Sequence, residues 1–145
     1  MTKYWPTGSG TGCWVLQPRL AAKAAPSPKP GSPARLGVAG VRRNEGSPAS
    51  RLKTLSYLDN VLARRAALAA GFDEAVMLNN RGEVACAAAA NIFWVRNGRL
   101  FTPALECGVL AGVTRARVLR KAEVREVRAD LAELLTSEQG KALSQ

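Results

Sequence analysis

Apolar positions change their spacing several times along the chain, and each change marks an element. Leu36, Val38 and Val41 form a short apolar run that ends in Arg42-Arg43-Asn44-Glu45-Gly46-Ser47-Pro48. Alternation of this kind argues for a strand, and the polar Gly/Pro-bearing stretch for a turn. Leu58, Val61, Leu62, Arg65 and Leu68 then recur at helical spacing as far as Gly71, which predicts an amphipathic helix over about 58–70 with glycine as its stop. Residues 74–78 and 84–86 flank Asn79-Asn80-Arg81-Gly82, and residues 92–95 and 100–101 flank Asn97-Gly98. Both are hairpin signals, the second the stronger because Asn and Gly tolerate the positive φ of a tight hairpin turn. Two consecutive hairpins predict an antiparallel sheet. Gly112 leads into a helix over about 114–121, residues 124–127 read as a strand, and Asp130 with Glu133 has the form of a capping box opening a last helix. The succession of strand, helix, strands, helix, strand and helix is an α+β pattern.

Before this patterned region the texture differs. Residues 1–34 carry Pro6, Pro18, Pro26, Pro28, Pro30 and Pro33 among Gly, Ser and Ala, with no sustained period, and are expected to be disordered. The segment is basic and free of acidic residues, which suits a targeting peptide or a stretch of misread coding sequence equally. Residues 136–145 read as a polar tail. A length of 145 residues, 47% of them hydrophobic, is enough for one domain with a modest core, here about residues 35–135.

Charge changes the picture little. The formal net charge is +10, which by itself would suit a polyanion, but the first acidic residue is Glu45, so the excess belongs partly to the N-terminal stretch. Beyond it Lys and Arg interleave with Asp and Glu, as in Arg125-Glu126-Val127-Arg128-Ala129-Asp130, the pattern of a solvated surface rather than of a nucleic-acid face. Cys13, Cys86 and Cys107 are widely spaced, and with no histidine in the chain neither a disulfide framework nor a metal site is expected. No apolar run approaches the ~18 residues of a membrane span, and no secretory core is visible at the start, so a cytoplasmic setting is expected.

Taken alone, Lys53 is a solvated charge ahead of a helix. Its context says more. The stretch Arg51-Leu52-Lys53-Thr54-Leu55-Ser56-Tyr57-Leu58-Asp59-Asn60-Val61-Leu62-Ala63-Arg64 closely resembles the segment of the class IV aminotransferases in which a lysine holds pyridoxal 5′-phosphate (PLP). The resemblance continues in order through Asp73-Glu74-Ala75, Gly82, Ala90-Asn91-Ile92-Phe93, Gly98-Arg99-Leu100-Phe101-Thr102-Pro103 and Gly108-Val109-Leu110-Ala111-Gly112-Val113-Thr114-Arg115. Several ordered blocks over some hundred residues are more specific than any one motif. The family, fold-type IV PLP enzymes, includes branched-chain and D-amino-acid aminotransferases and aminodeoxychorismate lyase. The resemblance implies their PLP-binding large domain, an incomplete antiparallel-sheet α+β unit.

It also implies roles. Lys53 matches the Schiff-base lysine, which must present a neutral amine to an aldehyde and afterwards move a proton between substrate and cofactor; that calls for desolvation. No other residue matches, since Lys121, at the end of a predicted helix, is explained by the helix dipole. Leu110 matches a leucine that packs on the cofactor ring. Gly112 with the Val113 and Thr114 N–H groups at a helix N-terminus would cradle its phosphate, although an ordinary helix start has the same sequence form. Asn91 matches a position that supports the site, whereas Phe93 and Trp94 read as sheet packing. Cys86 stands where most relatives have the glutamate that keeps the pyridine nitrogen protonated, and a thiol is a poor substitute. Glu83, three residues away along a strand, should point to the opposite face. Arg42 and Arg43 could attract a substrate carboxylate or be plain surface charge.

Family enzymes are longer, with a small N-terminal domain that contributes an arginine to the phosphate site and with a further strand and Thr/Ser-rich turn after the position of Leu135; residues 1–34 and the polar tail resemble neither. The expected activity is amino-group transfer between an amino acid, branched-chain among the options, and a 2-oxo acid. The alternatives are release of pyruvate from aminodeoxychorismate, or a truncated fragment without turnover. Tyr57-Leu58-Asp59-Asn60-Val61-Leu62-Ala63 has the aminotransferase wording, and Ala90-Asn91-Ile92-Phe93-Trp94 that of the lyase. The family pairs as homodimers, which is the association expected here.

Overall fold

The computed structural model describes residues 33–136. The proline-rich segment and the polar tail lie, apart from their inner edges, outside the described residues. The pattern read above reappears as β1 (Leu36–Val38), α1 (Leu58–Ala69), β2 (Glu74–Leu78), β3 (Val84–Ala87), β4 (Trp94–Arg96), β5 (Arg99–Pro103), α2 (Val113–Lys121), β6 (Val124–Val127) and α3 (Leu131–Leu135).

Local signals decide the turns and caps. At the β4–β5 turn Asn97 has φ 50° and Gly98 φ 68°, the paired positive values that a two-residue hairpin turn matching strand twist requires. At the start of α3 the Asp130 carboxylate accepts from the Glu133 N–H at 2.8 Å, a cap of the kind whose removal costs about 1 kcal/mol.

Sheet topology departs from the expectation of one antiparallel sheet. There are two three-stranded sheets, ordered β1-β2-β3 and β4-β5-β6. Each holds one expected hairpin, and each is completed by a parallel partner: β1 beside β2, and β6 beside β5. Parallel neighbours cannot be joined by a tight turn, so the chain crosses over between them, through α1 in one sheet and α2 in the other. Hairpin signals are local and legible; which strand fills a hairpin's open edge depends on burial between segments far apart in sequence. The consequence for the site is that Lys53 rides on the first crossover and Leu110 on the second.

The first sheet is covered on both faces. Ala63 and Ala67 of α1 pack with Ala39, Ala75, Met77 and Cys86 on one side. On the other, Val76, Leu78, Val84 and Ala87 meet Ile92, Trp94 and Phe101 of the second sheet region, with Trp94 and Phe101 stacked at 5.9 Å. Trp94 and Phe93 are thus buried packing residues, as their sequence suggested.

Two details invert simple periodicity. First, β2 and β3 pair Met77 with Cys86 but Leu78 with Val84, which leaves Ala85 as an extra residue in a bulge. Val84 therefore faces the second sheet while Cys86, two residues on, faces α1. Second, α1 packs through its small residues. Asn60, Ala63 and Ala67 are its buried positions, and the large apolar residues Leu58, Val61, Leu62 and Leu68 are exposed. Small side chains let the helix axis approach the strands closely; the apolar stripe read from the sequence is left facing outward.

No helix among the described residues is long and apolar enough to cross a membrane.

Candidate active site

A cavity of about 620 Å³ opens on the α1 side of the first sheet. Its walls come from three stretches distant in sequence: the crossover between Arg43 and Asn60, the Met77 and Cys86 face of the sheet with the segment continuing to Asn91, and Leu110 of the second crossover. Met77 and Cys86 are cross-strand partners and so share one face. Lys53, Cys86, Asn91 and Leu110, four of the residues singled out from the sequence, are brought together here. Gly112, Val113 and Thr114 are not part of the lining. They begin α2 just beyond Leu110, with Gly112 as N-cap, no side chain capping the helix, no acidic residue in its first turn, and Val113 87% exposed.

The Lys53 segment is held at both ends. Ahead of it, Ser47 caps a short 3-10 turn, Pro48–Arg51, and Asn44 accepts at its backbone oxygen from the Ser50 hydroxyl. The Arg43 guanidinium then donates to the backbone oxygens of Ser50 and Gly108 and to Asn60 Oδ1. Behind it, the Tyr57 hydroxyl and Asn60 Nδ2 both donate to the backbone oxygen of Ala88, the latter at 2.8 Å. Lys53 itself is exposed, so the desolvation its chemistry calls for is not supplied by the described residues.

The Leu110 wall is held similarly. Asn91 Nδ2 donates to the Leu110 backbone oxygen at 3.0 Å. That acceptor fixes the orientation of the amide, since the amide oxygen could not donate there. Asn91 Oδ1 is buried and has no partner among the described residues. Gly108, two residues earlier, has φ 84°, and a Cβ built on it would lie 2.9 Å from Glu45 Cα, so only glycine fits.

Electrostatically the cavity floor is neutral. Burial pushes the Cys86 thiol up to about 11, with Arg43 acting the other way and Glu74 adding to the rise. At pH 7 the group is S–H. Burial is likewise the first cause raising Tyr57. Glu83 does not take over the role of a carboxylate in the cavity. Burial works against its ionisation, but hydrogen bonds from Asn79, Arg128 and Arg81 outweigh it and hold the carboxyl down at about 2. These partners hold it away from the cavity lining. Of the two arginines for which either carboxylate attraction or plain surface charge was open, Arg42 is exposed and donates to the backbone oxygen of Asn79, and Arg43 is engaged in the contacts above.

Tyr57, Asn60 and the bracketing role of Arg43 were not singled out from the sequence. A signal for Asn60 existed. Asn60, Ala63 and Ala67 form an i, i+3, i+7 line of small or polar residues, the mark of a helix face meant to lie close to a sheet. For Arg43 there was none, because its acceptors are mostly backbone oxygens.

Comparison with known proteins bears on this arrangement. The model of the amino-transferase class IV family matches residues 10–140. This chain belongs to the class IV aminotransferases. The aminodeoxychorismate lyase of Bacillus subtilis is 33% identical over 132 residues, which are 88% of this chain and 43% of that protein. The branched-chain-amino-acid aminotransferase of Pseudomonas aeruginosa is 38% identical over 64 residues, 44% of this chain and 20% of that one. Among solved structures, the branched-chain aminotransferase of Thermoproteus uzoniensis with norvaline aligns with a TM-score of 0.73 at 33% identity, covering 77% of this chain and 40% of the other. That of Thermobaculum terrenum in its PLP form aligns at 0.71 and 29%, covering 77% and 39%. The chain thus spans less than half the length of these class IV relatives, and its two mixed sheets with crossovers are the fold-type IV architecture.

Proposed function

We propose that the cavity is a PLP site in which Lys53 anchors the cofactor, and that the activity is amino-group transfer between an amino acid and a 2-oxo acid. The observation that carries this reading is the convergence of Lys53, Cys86, Asn91 and Leu110, residues up to 57 positions apart, on one cavity. A volume of about 620 Å³ lies within the ~300–1,000 Å³ of ordinary small-molecule sites. The donor set suits a group with an aldehyde and an aromatic ring: a primary amine, an apolar wall at Leu110, and at the start of α2 free N–H groups suited to a phosphate.

When bound, PLP supplies an electron sink for the charge that develops at the amino acid's Cα. Lys53 is the residue that would hold the cofactor, and its amine would serve as the acid/base group for proton movement at the substrate Cα. Leu110, fixed by Asn91, excludes water from one face. Val113 and Thr114 N–H groups hold the phosphate. Cys86, neutral at the cavity floor, would donate only weakly and would offer no negative charge to a pyridine nitrogen, so the sink would be weaker than a carboxylate would make it. The exposed apolar stripe of α1 supports self-association, in line with a homodimer.

Elimination of pyruvate from aminodeoxychorismate is the second reading, favoured by the length of the match to the Bacillus subtilis lyase. Reduction with borohydride in the presence of PLP, followed by peptide mapping, tests the common premise: Lys53 is modified, and Lys53→Ala is not modified at that peptide. Wild type that takes up no PLP at Lys53 refutes both readings and leaves a fragment without turnover. Given labelling, production of a 2-oxo acid from a branched-chain amino acid supports transfer, and release of pyruvate from aminodeoxychorismate supports the lyase.

A further inference from the structure

Arg43 occupies an unusual position for a basic residue beside a cavity: its fork is spent on the protein itself. Nε donates to the backbone oxygen of Gly108, one Nη to Asn60 Oδ1 at 3.1 Å, and the other to the backbone oxygen of Ser50. Two of these acceptors lie in the first crossover, one on each side of Lys53, and the third lies beside the Leu110 wall. Ser50 lies in the 3-10 turn three residues before Lys53, Asn60 in the first turn of α1 after it, and Gly108 two residues before Leu110. Arg43 itself leaves the sheet next to β1, where its own N–H donates to the Leu78 backbone oxygen at 2.9 Å, so the fork is mounted on a fixed base.

We propose that Arg43 is a positioning residue, whose guanidinium sets where Lys53 stands relative to Cys86 and Leu110. The inference rests on the reading of Lys53 as cofactor anchor, and it assigns Arg43 a role other than receiving a substrate carboxylate. A planar fork is needed because three acceptors in different directions must be met at once; a lysine ammonium has the charge but not the reach or the spread of donors. The Lys53 segment has no regular structure between Leu52 and Tyr57, so without the bracket it is tethered ahead only within the turn, through Ser47 and the Ser50 hydroxyl on Asn44 O, and behind by the two donors to Ala88 O, among the described residues.

The test compares wild type, Arg43→Lys and Arg43→Ala. Each is treated with PLP, reduced with borohydride and mapped by mass spectrometry, with Lys121, at the far end of α2 and outside the cavity lining, as internal reference. Amide exchange is followed in the same samples. The Lys53-to-Lys121 labelling ratio falls roughly tenfold in both variants, the effect of losing one charge-assisted hydrogen bond. It recovers in Arg43→Ala when methylguanidinium is added. Amides of residues 50–57 and 108–110 exchange faster, and those of β2 and β3 do not. A ratio retained by Arg43→Lys and lost by Arg43→Ala overturns the proposal in favour of simple charge attraction. Faster exchange throughout β2 and β3 overturns it in favour of general stability. If wild-type Lys53 is labelled no better than Lys121, the cofactor reading fails, while unchanged exchange at 50–57 in Arg43→Lys separately rejects the bracket.

Discussion

Gly108→Ala isolates a contact on which the shape of the cavity depends. Gly108 sits at φ 84°, and its ideal Cβ would stand 2.9 Å from Glu45 Cα and 3.3 Å from Glu45 Cβ. A non-glycine residue in the left-handed region costs about 1–2 kcal/mol. The clash adds about 1–3 kcal/mol, because the opposing atom is backbone and cannot rotate aside. The total is about 2–5 kcal/mol. For a domain of this size each kcal/mol lowers Tm by about 4 °C, so a loss of about 8–20 °C is expected. Gly98→Ala is the control: it has φ 68° but nothing within 4 Å of its Cβ, so only the backbone term applies and Tm falls by about 4–8 °C. Thermal melts followed by circular dichroism measure both. Equal losses for the two variants would refute the reasoning, since the Glu45 contact would then contribute nothing. Because the Gly108 backbone oxygen accepts from Arg43, the variant should also weaken PLP uptake at Lys53 more than Gly98→Ala does.

The other expectations follow from burial and charge. Cys86, held near 11 by burial, should react with iodoacetamide at pH 7–8 far more slowly than a free thiol, whose value is about 8.5; comparable rates would show that the cavity floor is solvated. Glu83 is depressed from 4.5 to about 2, so its contribution to stability is present above about pH 4.5 and is lost as pH falls toward 2. Glu83→Gln should therefore flatten the acid limb of a Tm-versus-pH curve, and an unchanged limb would contradict the Asn79, Arg81 and Arg128 contacts. Replacing exposed Leu58 and Leu62 of α1 by Gln should reduce self-association measured by light scattering and change stability by less than about 0.5 kcal/mol. A marked loss of Tm instead would mean that these side chains are packed within one chain.

What the sequence determined was whatever depends on near neighbours. Asn97-Gly98 fixes its turn because only those residue types accept two consecutive positive φ values. Asp130 caps α3 because its carboxylate reaches an N–H three residues on. Helix and strand limits follow for the same reason, and Lys53 stood out through an ordered run of residues around it. Tertiary structure decided the rest. Helical spacing identified α1 but not the side it packs on, since close approach to the sheet selects Asn60, Ala63 and Ala67 over the larger leucines. Alternation did not reveal that one extra residue, Ala85, puts Val84 and Cys86 on opposite faces of β3. The parallel pairings, the meeting of Lys53 with Leu110, and the three acceptors of Arg43 join segments tens of residues apart. No local pattern encodes those, because they are settled only when distant surfaces compete for burial and backbone oxygens for donors.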